Sequence, residues 1–273
     1  MKILFIGDIV AEKGREAIEE FLPEIKQTHR PQLTIANGEN IASNYGRGMT
    51  EKDYKWMLSQ GIDVITMGNH TWDQKEIYQF IDQANCLVRP VNLPESTPGK
   101  GIHYVKINQT EVAIINVLGS AFMGPSIDAF QVLPDLIVEV KKRTNHIIID
   151  IHAEATSEKQ AVGWLFDGQV TAVLGTHTHV QTNDARVLPQ GTALMSDVGM
   201  TGALNSIIGF RPSEALIRFK TQMPQRLTPE TEGPTVMSAV VIETDNETGQ
   251  TKKITPIYKT QYDVTKFRKR PLY

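Results

Sequence analysis

The sequence predicts an α/β fold with a largely parallel sheet system. Short apolar segments rich in β-branched residues alternate along the chain with amphipathic segments whose apolar residues recur at helical spacing. No long linker, internal repeat or low-complexity segment interrupts this alternation. We therefore expect one domain spanning residues 1–273, which is long enough to bury a sizeable core.

Seven apolar segments have the length and composition of buried strands. The first of them is interrupted by Asp8, which comes too early for a signal peptide or a membrane span. The predicted strands are, in chain order, KILFIG, LTIAN, DVITMG, VAIINV, HIIIDI, TAVLG and TALMSD.

Three segments between these strands are predicted to be helices. GREAIEEFLPEIKQT places apolar residues near helical spacing within residues 17–25. TEKDYKWMLSQG begins at a capping residue, Thr50, and ends at Gly61. TWDQKEIYQFIDQ is predicted to be the third helix. Near the end of the chain, TVMSAVVIETDNETGQTKKITPIY has an Asn- and Gly-bearing turn between alternating runs, which indicates a hairpin.

Composition narrows the classes of function. Hydrophobic residues make up 40% and charged residues 22% of the chain, as in soluble globular proteins. The net charge of −3 gives no support for RNA association, and the basic segment KFRKRPLY is interpreted as a solvated terminus or a weak phosphate contact. The single cysteine, Cys86, cannot form an internal disulfide, which fits a cytoplasmic location. Neither a P-loop nor a Rossmann glycine motif occurs, so nucleotide binding through either motif has no support. A homo-oligomer is compatible with the sequence.

Side chains that can bind a metal follow five of the predicted strands. Each one has an ordinary explanation, since Asn and Gly favour turns and Asp caps helices. Their occurrence at five strand ends favours one common site, because ligands bind beyond the carboxyl ends of strands in α/β sheets. The side chains are Asp8, Glu39 with Asn40, Asn69 with His70, His152, and His177 with His179.

The residue types indicate which metals this site would bind. His177 and His179 are predicted to be alternate residues at a strand end, about 6.6 Å apart, and so able to flank two metals about 3.5 to 4 Å apart. Imidazole, carboxylate and amide ligands without a thiolate suit Mn, Fe or Zn. Glu39 is the candidate for a carboxylate that bridges the two cations.

The ordered series GD, GEN, GNH, a lone His and GTHTH resembles the calcineurin-like metallophosphoesterase superfamily. The longer strings MKILFIGDIV, NGEN, TMGNHTWD, HAEATSEK, GTHTHVQT and SDVGMTG resemble its bacterial YmdB-like phosphodiesterases, over essentially the whole chain. The resemblance implies a four-layer α/β/β/α sandwich with two mixed β-sheets flanked by helices. It also implies a dinuclear metal centre that hydrolyses phosphodiester bonds, with 2′,3′-cyclic nucleotides as the substrate class.

The resemblance also implies a ligand set. One metal would be bound by Asp8, Glu39, Asn40 and His179. The other would be bound by Glu39, Asn69, His152 and His177. Two positions depart from the general superfamily pattern and match the YmdB-like branch. Val10 stands where most members have a histidine ligand, and Glu39 stands where most have an aspartate.

The expected mechanism follows from this set. Two transition metal ions, Fe or Mn with Zn as the alternative, would clamp the phosphate and supply hydroxide. His70 would be the catalytic residue, stabilising charge or protonating the leaving group. Asp150 would either orient a ligand histidine or have a buried or capping role. The candidate rim residues are Arg89, Asn92, Glu154, Ser157 and Glu158.

The expected partner is a small-molecule phosphodiester, and no membrane is involved. Two other functions use the same residues. The first is a nuclease or phosphomonoesterase with the same metals, and the second is a regulatory or RNA-associated protein with incidental activity.

Overall fold

The protein consists of two β-sheets packed face to face, with helices on both outer faces. The structure is a computed structural model, and it describes residues 1–43 and 45–261. The arrangement confirms the four-layer α/β/β/α sandwich.

The first sheet has eight strands in the order β2-β12-β13-β1-β3-β4-β5, with β14 paired to β13. Neighbours β1, β3 and β4 are parallel, whereas β13 is antiparallel to both β1 and β12. The strands are β1 (Lys2–Ile6), β2 (Asp8–Ile9), β3 (Leu33–Asn37), β4 (Val64–Thr66), β5 (Leu87–Val88), β12 (Met200–Ala203), β13 (Thr235–Thr244) and β14 (Thr251–Thr260).

The second sheet has six strands in the order β10-β11-β9-β8-β7-β6. Its centre, from β7 through β8 and β9 to β11, is parallel, and both edge strands are antiparallel to their neighbours. The strands are β6 (Ile102–Ile107), β7 (Thr110–Leu118), β8 (His146–His152), β9 (Ala172–Thr176), β10 (Arg186–Val187) and β11 (Ala193–Met195).

Six helices complete the described part of the chain. Thr50 caps helix α2 as predicted, and its capping box with Asp53 satisfies the first backbone N–H groups. The helices are α1 (Ala11–His29), α2 (Glu51–Ser59), α3 (Ile77–Phe80), α4 (Ala129–Lys141), α5 (Thr156–Leu165) and α6 (Pro212–Thr221).

The layers follow from the two-residue alternation of side chains along each strand. In β1, Leu4 and Ile6 pack under the helices of the first sheet, whereas Ile3 and Phe5 face the second sheet. Strand β8 alternates in the same way, with Ile148 facing the first sheet and its neighbours facing the helices. Both faces are buried, which is why these strands read as continuous apolar runs. Each such side chain contributes roughly 1.5–3 kcal/mol by leaving water.

Two expectations about the fold were wrong in part. The sheets are mixed and not largely parallel, because β13 of the C-terminal hairpin pairs antiparallel with β1, β12 and β14. The helix expected over residues 71–83 is reduced to α3. The residues before α3 form turns, in which the backbone N–H of Asp73 donates to the carbonyl of His70. These turns hold His70 beside Glu39, so tertiary contacts override the helical pattern.

Among the described residues, no helix combines the length and hydropathy that crossing a membrane requires. The basic segment KFRKRPLY lies outside the described residues.

Candidate metal centre

The carboxyl ends of the parallel strands of both sheets meet at one edge of the sandwich. Asn37 at the end of β3 donates from Nδ2 to Oδ2 of Asp150 in β8, 3.0 Å away, and so links the two sheets. Every predicted ligand lies at this edge, on β2, on β8 or in the loops after β3, β4 and β9. The structure therefore places all five polar clusters of the sequence in one neighbourhood.

Three potential ligand atoms surround one nitrogen of His152. Its Nε2 lies 3.0 Å from Oε1 of Glu39, 2.9 Å from Oδ1 of Asn69 and 3.1 Å from Nδ1 of His177. One ligand atom from each of Glu39, His152 and His177 lies within 4.8 Å of the others, as a metal ion would require. These four side chains are the set that the resemblance implies for one of the two metals.

A second group of donors surrounds Asp8. Its Oδ1 lies 3.9 Å from Nε2 of His179. The nearby Asn40 donates from Nδ2 to the carbonyl of Gly46, 2.9 Å away, which leaves its Oδ1 free to bind. Oδ1 of Asp8 and Oδ1 of Asn40 are buried and have no hydrogen-bond partner within the described chain. Burying an unpaired carboxylate or amide oxygen costs about 1–3 kcal/mol or more, and a bound cation would remove this cost. The residues present thus fit a metal.

The electrostatics of the cluster favour positive charge. Burial raises the pKa of Asp8 to about 6. For Glu39 burial acts in the same direction, but the neighbouring His152 outweighs it and lowers the pKa to about 2. Burial opposes the charged form of His152, yet Glu39 raises the pKa of this imidazole to about 9. Burial and His152 together lower the pKa of His177 to about 3. One imidazolium thus offsets the buried carboxylates, and a cation would replace its proton.

The loop after β9 explains how two histidines so close in sequence belong to two different groups of potential metal ligands. Strand β9 ends at Thr176, and both His177 (φ 101°) and His179 (φ 65°) have left-handed backbone conformations. The expectation that they are alternate strand residues was therefore wrong. The turn directs Nδ1 of His177 towards His152 and Nε2 of His179 towards Asp8.

This left-handed loop is held by a buried ion pair. Oδ2 of Asp197 accepts from the backbone N–H of Thr178 at 3.0 Å and from Nζ of Lys159 at 2.7 Å. Both charged side chains are 1% exposed. Left-handed conformations of non-glycine residues cost of order 1–3 kcal/mol and persist only where surrounding contacts enforce them. Asp197, in the SDVGMTG segment, stabilises the left-handed loop through these contacts.

Asp150 acts on His152 through a hydroxyl group and not directly. Nδ1 of His152 lies 2.9 Å from Oγ1 of Thr176, and that hydroxyl donates to Oδ1 of Asp150 at 2.6 Å. The relay places a proton on Nδ1, so the lone pair of Nε2 is the one available to a metal. Gly68 permits the close packing, because a Cβ there would lie 2.4 Å from Oε2 of Glu39 and 2.5 Å from the His152 ring.

We expect Thr176→Val to weaken metal binding about 10- to 100-fold, because it removes the relay that orients His152 while keeping the shape of the side chain. Thr176→Ser retains the hydroxyl and should bind metal as the unchanged protein does. Competitive titration with a fluorescent chelator measures both affinities. Equal affinity of the valine and serine variants would contradict the role assigned to the hydroxyl.

Beside these predicted ligands lies a cavity of about 340 Å³, to which we give the name catalytic cavity. His70 lines it, with its backbone N–H donating to Oε2 of Glu39 at 2.8 Å and its Nδ1 lying 2.8 Å from Oδ2 of Asp73. In the described chain no hydrogen bond or ion pair engages Nε2 of His70, which is thus free to meet a substrate. The lining residues are Glu39, Asn40, Arg47, His70, Glu154, His177, Thr178, His179, Ile208 and Phe210.

Only one of the five candidate rim residues reaches this cavity. Glu154 lines it and places Oε2 3.1 Å from Nε2 of His177. The other four do not line the cavity. Arg89 is buried and donates to the carbonyls of Pro90, Thr97 and Pro98. Asn92 is buried and forms hydrogen bonds with the backbone of Leu118 and Ile127. Glu158 accepts hydrogen bonds from the backbone N–H groups of Ser120 and Ala121. Ser157 is exposed in the first turn of α5.

Arg47 and Thr176 belong to the site although the sequence did not single them out. Arg47 lies between two glycines, seven residues after Asn40, and this proximity to a ligand motif was the available signal. Thr176 lies between the glycine and the first histidine of GTHTH, but nothing in that spacing shows that its hydroxyl faces β8.

Comparisons with known proteins identify relatives of this chain. A family model described as YmdB-like protein matches residues 4–257. The 2′,3′-cyclic-nucleotide 2′-phosphodiesterase of Bacillus subtilis (strain 168) is 53% identical over 254 residues, which cover 93% of this chain and 95% of the relative. The crystal structure of a hypothetical protein from Thermus thermophilus has a TM-score of 0.88 and 40% identity, covering 95% of this chain and 99% of the other. That of a novel phosphatase from Mycoplasma pneumoniae has a TM-score of 0.89 and 34% identity, covering 95% and 93%.

Proposed function

This chain belongs to the YmdB-like protein family and is a hydrolase of phosphoester bonds, and from that premise we propose that it cleaves 2′,3′-cyclic nucleotides using two bound metal ions. The observation that carries the proposal is the convergence of buried nitrogen and oxygen ligand atoms beside the catalytic cavity, with two buried oxygens that lack a hydrogen-bond partner in the described structure. The name of the Bacillus subtilis relative supplies the substrate class.

The ligands divide into two groups around a shared carboxylate. We assign Asp8, Asn40 and His179 to one metal, Asn69, His152 and His177 to the other, and Glu39 to both. Fe or Mn suits these donors, with Zn as the alternative, since no thiolate is present. When bound, the metals would supply Lewis-acid stabilisation of the phosphate charge and hydroxide near neutral pH.

Hydrolysis requires proton transfer as well as attack. The oxygen of one water forms a bond to phosphorus, the P–O2′ bond breaks, and O2′ takes up a proton, which leaves a 3′-monophosphate. His70 is positioned to donate that proton, because Asp73 holds its Nδ1 and its Nε2 is free beside the cavity. Arg47 lines the same cavity, where its guanidinium would bind a phosphate oxygen.

A pair of cyclic nucleotides tests the substrate class. We expect the metal-loaded protein to hydrolyse 2′,3′-cyclic AMP faster than 3′,5′-cyclic AMP, because the strained five-membered ring already bends the diester towards the geometry of attack. Removing the metals with a chelator should abolish turnover, and adding Mn²⁺ should restore it. Initial rates with each substrate under matched metal conditions measure this. Equal or slower hydrolysis of the 2′,3′-cyclic isomer would refute the assignment.

A phosphomonoesterase is the second candidate, because the Mycoplasma pneumoniae structure is described as a phosphatase. The same assay distinguishes the two activities when p-nitrophenyl phosphate and bis-p-nitrophenyl phosphate are compared. Preference for the monoester would favour the second candidate.

A further inference from the structure

A second, larger cavity adjoins the catalytic cavity. It has a volume of about 880 Å³ and lies between the loop after Asn40 and the C-terminal end of α6. Arg47 lines both cavities, which therefore adjoin at this side chain. The remaining lining residues are Tyr45, Arg218, Phe219 and the segment 222–227. We call this cavity the outer cavity.

The outer cavity is surrounded by positive charge that the protein does not neutralise. Arg47, Arg218 and Arg226 are exposed, and within residues 1–43 and 45–261 no carboxylate pairs with any of them. The guanidinium of Arg226 instead lies 5.2 Å from the centre of the Tyr45 ring. Guanidinium groups bind phosphate oxygens well, so three of them without a carboxylate partner favour an anionic chain with several phosphates.

Exposed aromatic side chains lie among these arginines. Tyr45 is 51% exposed and Phe219 is 74% exposed, and Met223 beside them is 65% exposed. Bases of single-stranded nucleic acids stack on such rings while adjacent basic groups bind the backbone. A second copy of this chain suits the surface less well, because a symmetric contact would bring the same arginines of both copies together.

The outer cavity is fixed in position relative to the proposed metal ligands. Asn40 donates to the carbonyl of Gly46, which lies between the two lining residues Tyr45 and Arg47. Gly46 has φ +60°, and a Cβ there would lie 3.1 Å from the ring of Pro229. The loop that bears Arg47 is thus tied to Asn40 and lies against Pro229, which follows the lining segment 222–227 by two residues.

We propose that the outer cavity binds the nucleotides that precede a terminal 2′,3′-cyclic phosphate, so that the substrates include oligoribonucleotides with this end. The inference rests on the proposed function, because the cyclic phosphate itself occupies the catalytic cavity. A mononucleotide fills that cavity alone, whereas an oligonucleotide extends past Arg47 onto Tyr45 and Phe219. The chemical step is unchanged: water adds to phosphorus, the P–O2′ bond breaks, O2′ gains a proton, and the chain ends in a 3′-phosphate.

Two substrates and two variants test this inference. The substrates are 2′,3′-cyclic AMP and a six-nucleotide RNA that ends in a 2′,3′-cyclic phosphate. The test variant is Arg218→Ala/Phe219→Ala/Arg226→Ala, which changes none of the residues that line the catalytic cavity. The control variant, Ile217→Ala/Lys220→Ala, changes exposed residues of the same helix that do not line the outer cavity.

For the test variant we expect kcat/KM on the RNA to fall about tenfold or more, since loss of base stacking and of phosphate contacts both weaken binding. On 2′,3′-cyclic AMP it should stay within about twofold of the unchanged protein. The control variant should retain both activities. Equal effects of the test variant on the two substrates, or no effect on the RNA, would overturn the inference while leaving the proposed function intact.

A binding measurement separates the inference from the proposed function. In chelator, fluorescence anisotropy of a labelled six-nucleotide RNA with a 3′-phosphate should show weaker binding to the test variant than to the control variant, and the difference should shrink as salt rises. If 2′,3′-cyclic AMP is not hydrolysed, the proposed function fails, and this measurement still decides whether the outer cavity binds RNA. Altered sedimentation of the test variant with unchanged RNA binding would make the surface a contact between copies and overturn the inference.

Discussion

Glu39→Ala is expected to release both metals and to reduce turnover of 2′,3′-cyclic AMP about 10³-fold or more, because bound metals contribute several kcal/mol to the transition state. The side chain is 1% exposed and lies between the two groups of donors, with Oε1 3.0 Å from His152 and Oε2 accepting from His70. No other carboxylate among the described residues touches His152 at hydrogen-bond distance. Metal analysis by mass spectrometry should find fewer than one metal per chain.

Two further variants serve as controls for Glu39→Ala. His179→Ala removes a ligand of one group only and should retain about one metal per chain, whereas Glu39→Gln keeps the volume of the side chain and controls for collapse of the site. Thermal unfolding of all three variants checks that the fold persists. Two fully occupied metals in Glu39→Ala would exclude the bridging role.

His70→Ala is expected to lower turnover of 2′,3′-cyclic AMP about 10²- to 10⁴-fold while both metals stay bound and KM changes much less. The physical reason is that only interactions specific to the transition state raise the chemical rate. His70 touches Glu39 through its backbone N–H, which alanine retains, and its ring lies beside the cavity. The ring can therefore be removed without removing the contact to Glu39.

The leaving group identifies what His70 does. A p-nitrophenyl diester needs no proton on its departing oxygen, so the penalty of His70→Ala should shrink with that substrate if the ring is a general acid. Asp73→Asn, which weakens the contact to Nδ1, should produce a smaller loss with the same dependence on the leaving group. Loss of metal from His70→Ala would instead make His70 a ligand, and equal penalties with both substrates would reject the general-acid role.

The sequence determined the core strands and the edge at which the site lies. Buried strands such as HIIIDI are recognisable because apolar β-branched runs have few other uses, and all seven predicted strands are present. Thr50 and Gly61 bounded α2 because capping and left-handed termination depend on local chemistry. The ligand-capable residues could be found because parallel strands bring their carboxyl ends to one edge, so chain order alone predicts proximity.

Tertiary structure decided what depends on contacts between distant segments. The pattern of residues 71–83 is helical, yet the chain turns there because His70 is held beside Glu39 and Asp73 beside His70. Arg89 resembles a surface charge in the sequence. In the structure it is buried, and its guanidinium donates to three backbone carbonyls.

The direction of the ligand side chains was also beyond the sequence. His177 and His179 diverge because Asp197, from a later segment of the chain, stabilises a left-handed turn that neither histidine prefers. The relay from Asp150 through Thr176 to His152 joins two neighbouring strands whose register is set by the whole sheet. Local residue types thus named the donors, while the packing of the two sheets decided which atom of each donor faces the site, because side-chain direction follows from the backbone that holds it.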